Sequence, residues 1–524
     1  MLRVFQHDLR DPEHFVITLE LVPGRESTGR TVDTVMGIAR DAFTDGRISA
    51  VSITDNPGGN PSLSPDVIGN EIFKIGLDVI VHFTCRDMNR VGMESRALQL
   101  AMMGMKNILA LTGDYTGSGF GGQGAPVFDL DAVSLLAMLS MLSERIETAG
   151  DPDGFFTGCA VSPFKRTPGE TVAQYAKLCR KEAAGAQFVI TQLGYEADRF
   201  AHLLGVTRSM GFGLPILGSV YLLTPTAARI MNAGKVPGVV VSDRLRDQVL
   251  AEWRDRETGR QAAVERAACL AAVLKGLGYK GIHLGGIHRD FSVVARILDR
   301  LAQIEDRWRD FMPEFGMAPP PENTGPPTAG GDVCAMVGGR VPDLAPLEKL
   351  HFNLMRQAHG MLFSRESATA GLWRALARRL DSHLAGRMIA NTLEDPVKRL
   401  LLGCRHCGDC AIVDLAFLCP ESQCPKHTRN GACGGSHQGR CEVHPERYCV
   451  WYRAWRRWAA TGQSERLAEG CVPPRRWELN ETSSWLNFHL GRDHQGNGGA
   501  FARFCRSRAC RTEGLARAAD LPPE

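Results

Sequence analysis

Eight cysteines lie between residues 404 and 449, and they make up half of the chain's 16 cysteines. Their spacing is C-x2-C-x2-C-x8-C-x4-C-x8-C-x7-C-x7-C, and the short x2 gaps bring thiolates close enough together to grip one metal centre. Eight thiolates are enough for two four-iron clusters or for two zinc sites. The predicted ligands are Cys404, Cys407, Cys410, Cys419, Cys424, Cys433, Cys441 and Cys449.

A second set of polar residues ends short β-branched runs in the first three hundred residues. The set is Glu20, Thr54, His82, Thr84, Asp114, Ser162, Gln192, His288 and Arg289. These residue types are suited to acid–base chemistry on a neutral organic substrate. Glu20 follows VITL, and partial desolvation inside a site is expected to raise the pKa of its carboxyl group. The set offers scattered single ligands rather than closely spaced His and Asp, which argues against a catalytic metal here.

Eight strand–helix units are predicted between residue 15 and about residue 300. The strand candidates are FVITLELV, ISAVSIT, DVIVHFTC, NILALTG, FFTGCAVS, FVITQLG, PILGSVYLL and GIHLGGI. Eight parallel strands, each followed by a helix, predict an α/β fold of the TIM-barrel type, (β/α)8. A doubly wound open sheet is the alternative, but the first turn, LVPGRES, lacks its glycine-rich fingerprint. In a barrel, the second set of polar residues lies on one rim.

The rest of the chain predicts further segments. We expect the barrel at 1–310, a Pro/Gly-rich linker at 311–346, a helical segment at 347–403 and a Cys-rich metal-binding domain at 404–524. Trp451, Trp455 and Trp458 have the spacing of a packed helix face, and the interleaved Arg453, Arg456 and Arg457 are expected on a solvated face.

Composition limits the classes of function. The chain of 524 residues is 44% hydrophobic and has a net charge of only +3, so a nucleic-acid partner is not expected. No apolar run approaches the roughly 20 residues that cross a bilayer, and the first residues lack the apolar core of a signal peptide. We therefore expect a cytoplasmic protein without a membrane partner. In that reducing compartment, clustered cysteines indicate metal or iron–sulfur ligands rather than disulfides.

Several motifs resemble the methylenetetrahydrofolate reductase family. ITLELVP resembles the family's first strand, with Glu20 at the position of its catalytic acid, and VSIT, VHFTC, ALTGD, RKEAAGAQFVITQ and IHLGGIHRD follow in the family's order. The resemblance covers roughly residues 10–305. It implies a TIM barrel that binds a flavin, FAD in preference to FMN, and moves a hydride between flavin N5 and the one-carbon unit of tetrahydrofolate.

The resemblance also implies roles for individual residues. Glu20 and Asp114 are the expected catalytic residues, Asp114 lying close to both pterin and flavin. Thr54, His82, Thr84, Asp114 and Lys181 are expected to line the flavin site, with Lys181 toward the phosphate. Gln192 and Arg289 are expected to hold the folate. Gly285 stands where some members have Tyr, and this departure leaves the electron donor, NAD(P)H included, open.

The run from Cys419 to Trp458 resembles a second known module, the cysteine-rich C-terminal or partner-subunit domain of anaerobic-type methylenetetrahydrofolate reductases. The match covers about residues 400–490 and implies an iron–sulfur centre that passes electrons to the flavin, with zinc as the alternative. Two other hypotheses stay open: a pterin-binding methyltransferase barrel with a zinc-thiolate centre, and a reductase whose Cys-rich module is only a zinc docking platform. Tetrahydrofolate derivatives are the expected substrates. A homo-oligomer is expected, and a redox partner protein is left open.

Overall fold

A closed eight-stranded parallel barrel forms the first part of the chain in the computed structural model, which describes residues 4–151, 153–317, 343–496 and 501. The barrel strands are β1 Val16–Leu21, β2 Ala50–Ile53, β3 Val79–Thr84, β4 Asn107–Leu111, β7 Phe156–Val161, β8 Phe188–Thr191, β9 Ile216–Tyr221 and β10 Gly281–Gly285. Two short strands, β5 Ser118–Gly119 and β6 Gly122–Gln123, form a small hairpin outside the barrel. The barrel strands follow one another around the barrel in chain order, and β10 pairs with β1, so the predicted TIM barrel is confirmed.

The barrel is closed at its N-terminal end by aromatic packing. Phe5, from the first helix, meets Phe156 and Phe188 edge-on, with ring centroids 6.0 and 5.3 Å apart. This apolar floor also includes Leu109 and Ile190. Since the floor is filled by side chains, an open cavity can form only above it, at the C-terminal ends of the strands.

Helices surround the barrel, and most start at a side chain that caps free backbone N–H groups. Caps of this type include Ser64, Asn89, Asp131, Thr167 and Asp255. The helices of this part are Val4–Arg10, Arg30–Asp45, Pro65–Ile75, Arg90–Met102, Ala132–Thr148, Pro168–Ala183, Ala197–Ser209, Pro225–Asn232, Asp243–Glu252, Arg256–Leu277, Ser292–Ile304 and Trp308–Phe311, with 3-10 turns at Pro57–Gly59, Glu305–Arg307 and Met312–Phe315.

The C-terminal part consists of helices and loops that pack on the barrel. Its helices are Pro346–Leu362, Ala370–Asp381, Leu384–Leu402, Pro420–Gln423, Val450–Ala459 and Ser484–His489, with 3-10 turns at Val413–Leu415, Ser464–Leu467 and Trp477–Leu479. Most of the predicted linker, residues 318–342, lies outside the described residues. No helix in the described ranges is long and apolar enough to cross a membrane.

The helix Val450–Ala459 attaches the C-terminal part to the barrel. Trp451, Trp455 and Trp458 are buried as predicted, and Trp455 packs directly against Gly169. The expectation that Arg457 is solvated is wrong. Its side chain is buried and donates hydrogen bonds to the carbonyls of Ala416 and Phe417, which satisfies groups that a solvated face would leave to water.

Candidate active site at the barrel mouth

A cavity of about 500 Å³ opens at the C-terminal ends of the strands. Its volume lies in the range of small-molecule and cofactor sites. The predicted residues that line it are Glu20, Thr54, His82, Thr84, Asp114, Ser162, Lys181 and Gln192. His288 and Arg289 are exposed beyond the end of β10 and are not among the lining residues. The structure therefore brings together the set predicted from the strand ends, apart from its last two members.

Glu20 stands in a group of histidines. Its Oε2 lies 3.9 Å from His283 Nε2, and His283 Nδ1 is 2.8 Å from the hydroxyl of Thr18. Burial disfavours the charged carboxylate, but the interaction with His283 and the charges of His283, His82 and His288 together outweigh it, so the pKa of Glu20 is lowered. The expectation of a raised pKa is therefore wrong for the ligand-free barrel, because desolvation acts in the expected direction but the neighbouring imidazoles act against it.

Among the described residues, three polar atoms on the cavity wall are buried with neither a hydrogen-bond partner nor an ion-pair partner. They are Thr54 Oγ1, His82 Nε2 and Ser162 Oγ. Burial lowers the pKa of His82 to about 4, so its imidazole is neutral at neutral pH. Because an unpaired buried polar group is costly, three such atoms around one cavity indicate a polar ligand that satisfies them.

Other predicted residues already have partners. The backbone N–H and hydroxyl of Thr84 donate to Asp55 Oδ2, 3.1 and 3.0 Å away, and Arg96 pairs with the same carboxylate. Asp114 Oδ2 accepts from the backbone N–H of Gly58, 3.0 Å away. These contacts fix the loops after β2, β3 and β4 relative to one another, so they hold the rim in one shape.

The Gln192 amide is also engaged. Its Nε2 lies 3.3 Å from the carbonyl of Pro237, and its Oε1 accepts from the backbone N–H of Leu193. A ligand that reads this amide must therefore compete with the loop that follows the helix Pro225–Asn232.

Two lysines stand on the wall formed by β7 and the helix Pro168–Ala183. Lys181 donates to the carbonyl of Ala160, and Lys177 donates to the carbonyl of Gly431, 3.1 Å away. Burial lowers the pKa of Lys181 to about 8, with partial compensation from Cys159. A buried ammonium group that donates to backbone carbonyls is suited to an anion such as a phosphate group.

The eight clustered cysteines fall into two groups of four. Cys404, Cys407 and Cys410 line one small cavity, and Cys419 interacts electrostatically with Cys404 and Cys410; we call these four the outer group. Cys424, Cys433, Cys441 and Cys449 line a second cavity and form the inner group. The outer group contains the first four of these cysteines along the chain and the inner group the last four, so no cysteine belongs to both groups.

Burial raises the pKa of one outer-group thiol, Cys407, to about 12, and it raises the pKa of Cys419 in the outer group and of Cys424 in the inner group to about 11. Each group has a buried lysine beside it. Lys398 Nζ is 4.0 Å from Cys410 Sγ, and Lys426 interacts electrostatically with Cys433. Within the described ranges, no three His, Cys, Asp or Glu side chains are arranged to hold a metal ion.

The inner group lies at the mouth of the barrel. Cys433, Lys426 and Glu442 line both the inner-group cavity and the barrel cavity. Lys426 forms a buried ion pair with Glu442 and donates to the carbonyl of Gly113, 2.7 Å away. The C-terminal part therefore supplies one wall of the site.

The contact between the two parts is close. Lys165 donates to the carbonyl of Ser436, 2.7 Å away, and Gln174 donates to the carbonyl of Cys433, 3.0 Å away. At Gly238, where φ is +75°, a Cβ atom would lie 2.5 Å from the carbonyl oxygen of Gly434, so this approach requires glycine.

Sequence reasoning missed several wall residues, among them His283, Tyr221, Lys426 and Glu442. His283 could have been found from the alternation of β10, because its side chain points inward two residues before the strand ends. A side chain at Gly285 would meet the ring of Tyr221 at 3.2 Å, so Tyr221 occupies that space. Lys426 and Glu442 give no local signal, since they reach the barrel only through the docking of a distant segment.

Fold and site together define a TIM barrel whose mouth is completed by a cysteine-rich module. A family model described as methylenetetrahydrofolate reductase matches residues 5–302, which is more than half of the chain, and the chain belongs to that family. A second model, described as methylene-tetrahydrofolate reductase C terminal, matches residues 387–478. Both resemblances stated from the sequence are confirmed at the level of the family.

Individual relatives are more distant. "Methylenetetrahydrofolate reductase 1" of Schizosaccharomyces pombe is 26% identical over 299 residues, covering 56% of this chain and 47% of the relative. "Probable methylenetetrahydrofolate reductase (NADPH)" of Caenorhabditis elegans is 24% identical, covering 48% and 38%. The chain thus spans less than half of the length of these curated relatives. A solved structure from Clostridium thermocellum, an uncharacterized protein that binds two copies of 5-methyl-5,6,7,8-tetrahydrofolic acid, aligns with a TM-score of 0.40 at 12% identity, covering 58% of this chain and 99% of its own.

Proposed function

We propose that this chain is a flavin-dependent methylenetetrahydrofolate reductase that interconverts 5,10-methylenetetrahydrofolate and 5-methyltetrahydrofolate. The observation that carries the proposal is the barrel mouth, where Glu20 stands beside His283 in a cavity with three unpartnered polar atoms. The reaction is inferred from membership of the family. The side chains at the mouth include the acid–base and hydrogen-bonding groups that this reaction needs.

The residues present fit a flavin, and we propose FAD in preference to FMN. Thr54, His82 and Ser162 offer unpaired hydrogen-bonding atoms to a ring or sugar, and Lys181 offers a buried cation to a phosphate group. The Thr84 hydroxyl already donates to Asp55. We therefore propose that Thr84 shapes the site rather than forming a direct hydrogen bond with the flavin. A bound flavin supplies hydride transfer at N5, chemistry that no amino-acid side chain provides.

Glu20 holds and moves the proton that opens the folate's one-carbon bridge. Its lowered pKa means that the carboxylate is ionised in the ligand-free barrel at neutral pH. A folate that fills the cavity removes water from this carboxylate, and desolvation raises a carboxyl pKa. Ligand binding therefore moves Glu20 toward the protonated form that a general acid requires. His283, 3.9 Å away, orients the carboxyl group.

The remaining predicted residues act on orientation. We assign Asp114 to the side of the cavity shared by pterin and flavin, where Lys426 balances its charge. Gln192 reads the pterin after exchanging its bond to Pro237. We assign Arg289, exposed outside the lined cavity, to the charged tail of the folate rather than to its ring.

We propose that the two cysteine groups hold thiolate-bound centres, iron–sulfur rather than zinc. Each group supplies four thiols and has a lysine beside it, but the side chains would have to move to close around a metal, since no three in the described residues are arranged to hold one. Loading would release protons from the thiols, and the free energy of binding would add to the stability of the module. Zinc at either group would make that group a structural site only.

A centre held by the inner group would supply electrons to a bound flavin. Cys433 is on the wall of both cavities, so the group that would hold the centre borders the cavity that would hold the flavin. Relatives in animals and plants carry NADPH or NADH in their names. For this chain we propose NAD(P)H only as the second candidate for the electron donor, after the inner-group centre. The loop around Gly434 occupies part of the mouth through which a nicotinamide would have to approach.

The remaining assignments follow from the same proposal. We divide the chain into the barrel at 1–310, the linker at 311–346, the helical segment at 347–403 and the Cys-rich domain at 404–524. We place the protein in the cytoplasm, where such thiols stay reduced for cluster assembly.

The barrel chemistry is tested by adding 5-methyltetrahydrofolate to flavin-loaded protein in the absence of oxygen and recording the flavin absorbance. We expect bleaching in the wild type. A matched Arg229→Gln variant, altered on the outer helix Pro225–Asn232, should behave as the wild type. Protein that binds no flavin, or whose flavin does not respond to the folate, would leave the methyltransferase hypothesis in its place.

A further inference from the structure

Lys426 belongs to the cysteine-rich module but reaches the mouth of the barrel. Its side chain is buried and lines the barrel cavity together with Asp114. It donates to the carbonyl of Gly113, 2.7 Å away, and Gly113 directly precedes Asp114 in the chain. The module therefore holds the backbone of a barrel loop at the position next to a candidate active-site carboxylate.

The turn at Gly113 is held from two sides. Its φ is +88°, a conformation that favours glycine, and an added Cβ atom would lie 3.1 Å from Thr84 Cβ, so the turn packs closely against the end of β3. On its other side, the turn is tied to the module by Lys426. The side chain of Asp114 in turn accepts from the backbone N–H of Gly58, 3.0 Å away. The position of the Asp114 carboxylate thus depends on a contact that the barrel alone does not make.

Three charged side chains share this wall of the cavity. Lys426 forms a buried ion pair with Glu442 and interacts electrostatically with Asp114, and all three residues line the cavity. Removal of the ammonium group would leave the two carboxylates on the wall without the cation that lies beside them. Since charges act more strongly in a buried site than in water, this change would be felt by a ligand in the cavity.

We propose that Lys426 is a positioning residue of the barrel's active site, so that the module takes part in the folate half of the reaction and not only in the supply of electrons. This inference rests on the proposed function. Lys426 holds Asp114 in place through the Gly113 carbonyl. Its positive charge also favours the electron-rich, reduced form of a flavin bound in the same cavity. Neither effect requires a metal centre in the inner group.

The test measures the ratio of reduced to oxidised flavin in the full chain, in anaerobic equilibrium with a redox dye of known potential. Lys426→Met removes the cation, and Glu442→Gln keeps Lys426 but removes its counter-ion. We expect the ratio to fall about tenfold in Lys426→Met and to rise about tenfold in Glu442→Gln, which is about 30 mV in each direction for two electrons. Both substitutions break the same ion pair, so a merely structural role would shift the ratio in the same direction in both.

Arg90→Met is the matched control. Like Lys426, Arg90 crosses the boundary between barrel and module, since it donates to the carbonyl of Arg475, 2.8 Å away, and pairs with Asp129 on its own side. Arg90 is not among the residues that line the barrel cavity, so Arg90→Met should keep the wild-type ratio. The concentration of 5-methyltetrahydrofolate that half-saturates flavin reduction should rise about tenfold in Lys426→Met, because Asp114 is no longer held, and stay at the wild-type value in Arg90→Met.

Three results would overturn the proposal: an unchanged ratio in Lys426→Met, an equal shift in Lys426→Met and Arg90→Met, or a shift in the same direction in Lys426→Met and Glu442→Gln. All three leave the proposed function intact, because the flavin of the wild type is still reduced by the folate. If Lys426→Met does not fold, Glu442→Gln decides, and a ratio that does not rise there contradicts the proposal. A wild type that binds no flavin would refute the proposed function and this inference with it.

Discussion

Asp131 links the barrel to the cysteine-rich module. Its Oδ1 accepts from the backbone N–H groups of Val133 and Ser134 and so caps the helix Ala132–Thr148. Its Oδ2 accepts from the backbone N–H groups of Arg429 and Asn430, 3.1 and 2.9 Å away. One buried carboxylate therefore holds the start of a barrel helix and the loop that follows the inner group's first cysteine.

Asp131→Asn removes half of this function. The Asn side chain still caps the helix through its oxygen, because Asn and Asp are comparable caps. Its NH2 group then faces two backbone donors, so two charge-assisted hydrogen bonds are lost and two buried N–H groups stay unpaired. At roughly 1.5–3 kcal/mol for each bond, the loop should lose about 3–6 kcal/mol of its stability against opening.

The assay is hydrogen exchange, with mass spectrometry of the peptide that contains residues 426–434. A loss of about 3–6 kcal/mol corresponds to roughly 10²- to 10⁴-fold faster exchange of its amides. The control is Asp255→Asn, which alters the cap of the helix Arg256–Leu277 without touching the module and should leave this peptide unchanged. If Asp131→Asn exchanges at the wild-type rate, the carboxylate does not hold the loop and this account of docking is refuted.

Three further predictions follow. Glu20→Gln should keep the flavin and the fold but slow flavin reduction by 5-methyltetrahydrofolate about 10²- to 10⁴-fold, as measured by anaerobic stopped flow, since the amide cannot exchange the proton; an unchanged rate would remove Glu20 from catalysis. His494, buried against Asp409 and Asp414, has its pKa raised to about 9, because these two carboxylates outweigh the burial that opposes its charge. A raised pKa in the folded state means that its stabilisation is complete below about pH 6.5 and is lost as the pH rises through 9, a change on the order of 3 kcal/mol; thermal unfolding of His494→Gln should show this pH dependence reduced, and an identical profile would contradict the assignment. Cys433→Ser should lower bound iron by about half in metal analysis, whereas Cys471→Ser, outside both groups, should not, and equal iron in both variants would exclude an inner-group centre.

The barrel was predictable from the sequence because its signals are local. Each strand is a short apolar run buried on both sides, and each is followed by an amphipathic helix, so period and order suffice. The rim residues were predictable for the same reason, since the C-terminal ends of parallel strands meet at one end of the barrel. Glu20, His82 and Asp114 are brought together although they come from different strands.

What the sequence did not reveal depends on contacts between distant segments. Lys426 reaches Gly113 across 313 positions of sequence. The pKa of Glu20 is lowered by three neighbouring histidines, whose positions the sequence does not give. Burial alone predicts a shift in the opposite direction. From the sequence alone, Arg457 is expected on the surface, because Trp and Arg alternate along its helix. Its burial is understood once its hydrogen bonds to backbone carbonyls are seen. The division of the cysteines into inner and outer groups likewise follows from the packing of the loops rather than from their spacing.

The central claim is that the barrel and the cysteine-rich module form one redox unit in which the inner group adjoins the flavin. The most direct measurement adds 5-methyltetrahydrofolate to the oxidised, anaerobically purified holoprotein while the flavin bands and the broad absorption of a thiolate-bound iron centre are recorded together. We predict that the flavin bands bleach first and that the iron-centre absorption then falls, with the second change absent in Cys433→Ser. A flavin that bleaches completely while the iron-centre absorption of the wild type stays constant would contradict the account.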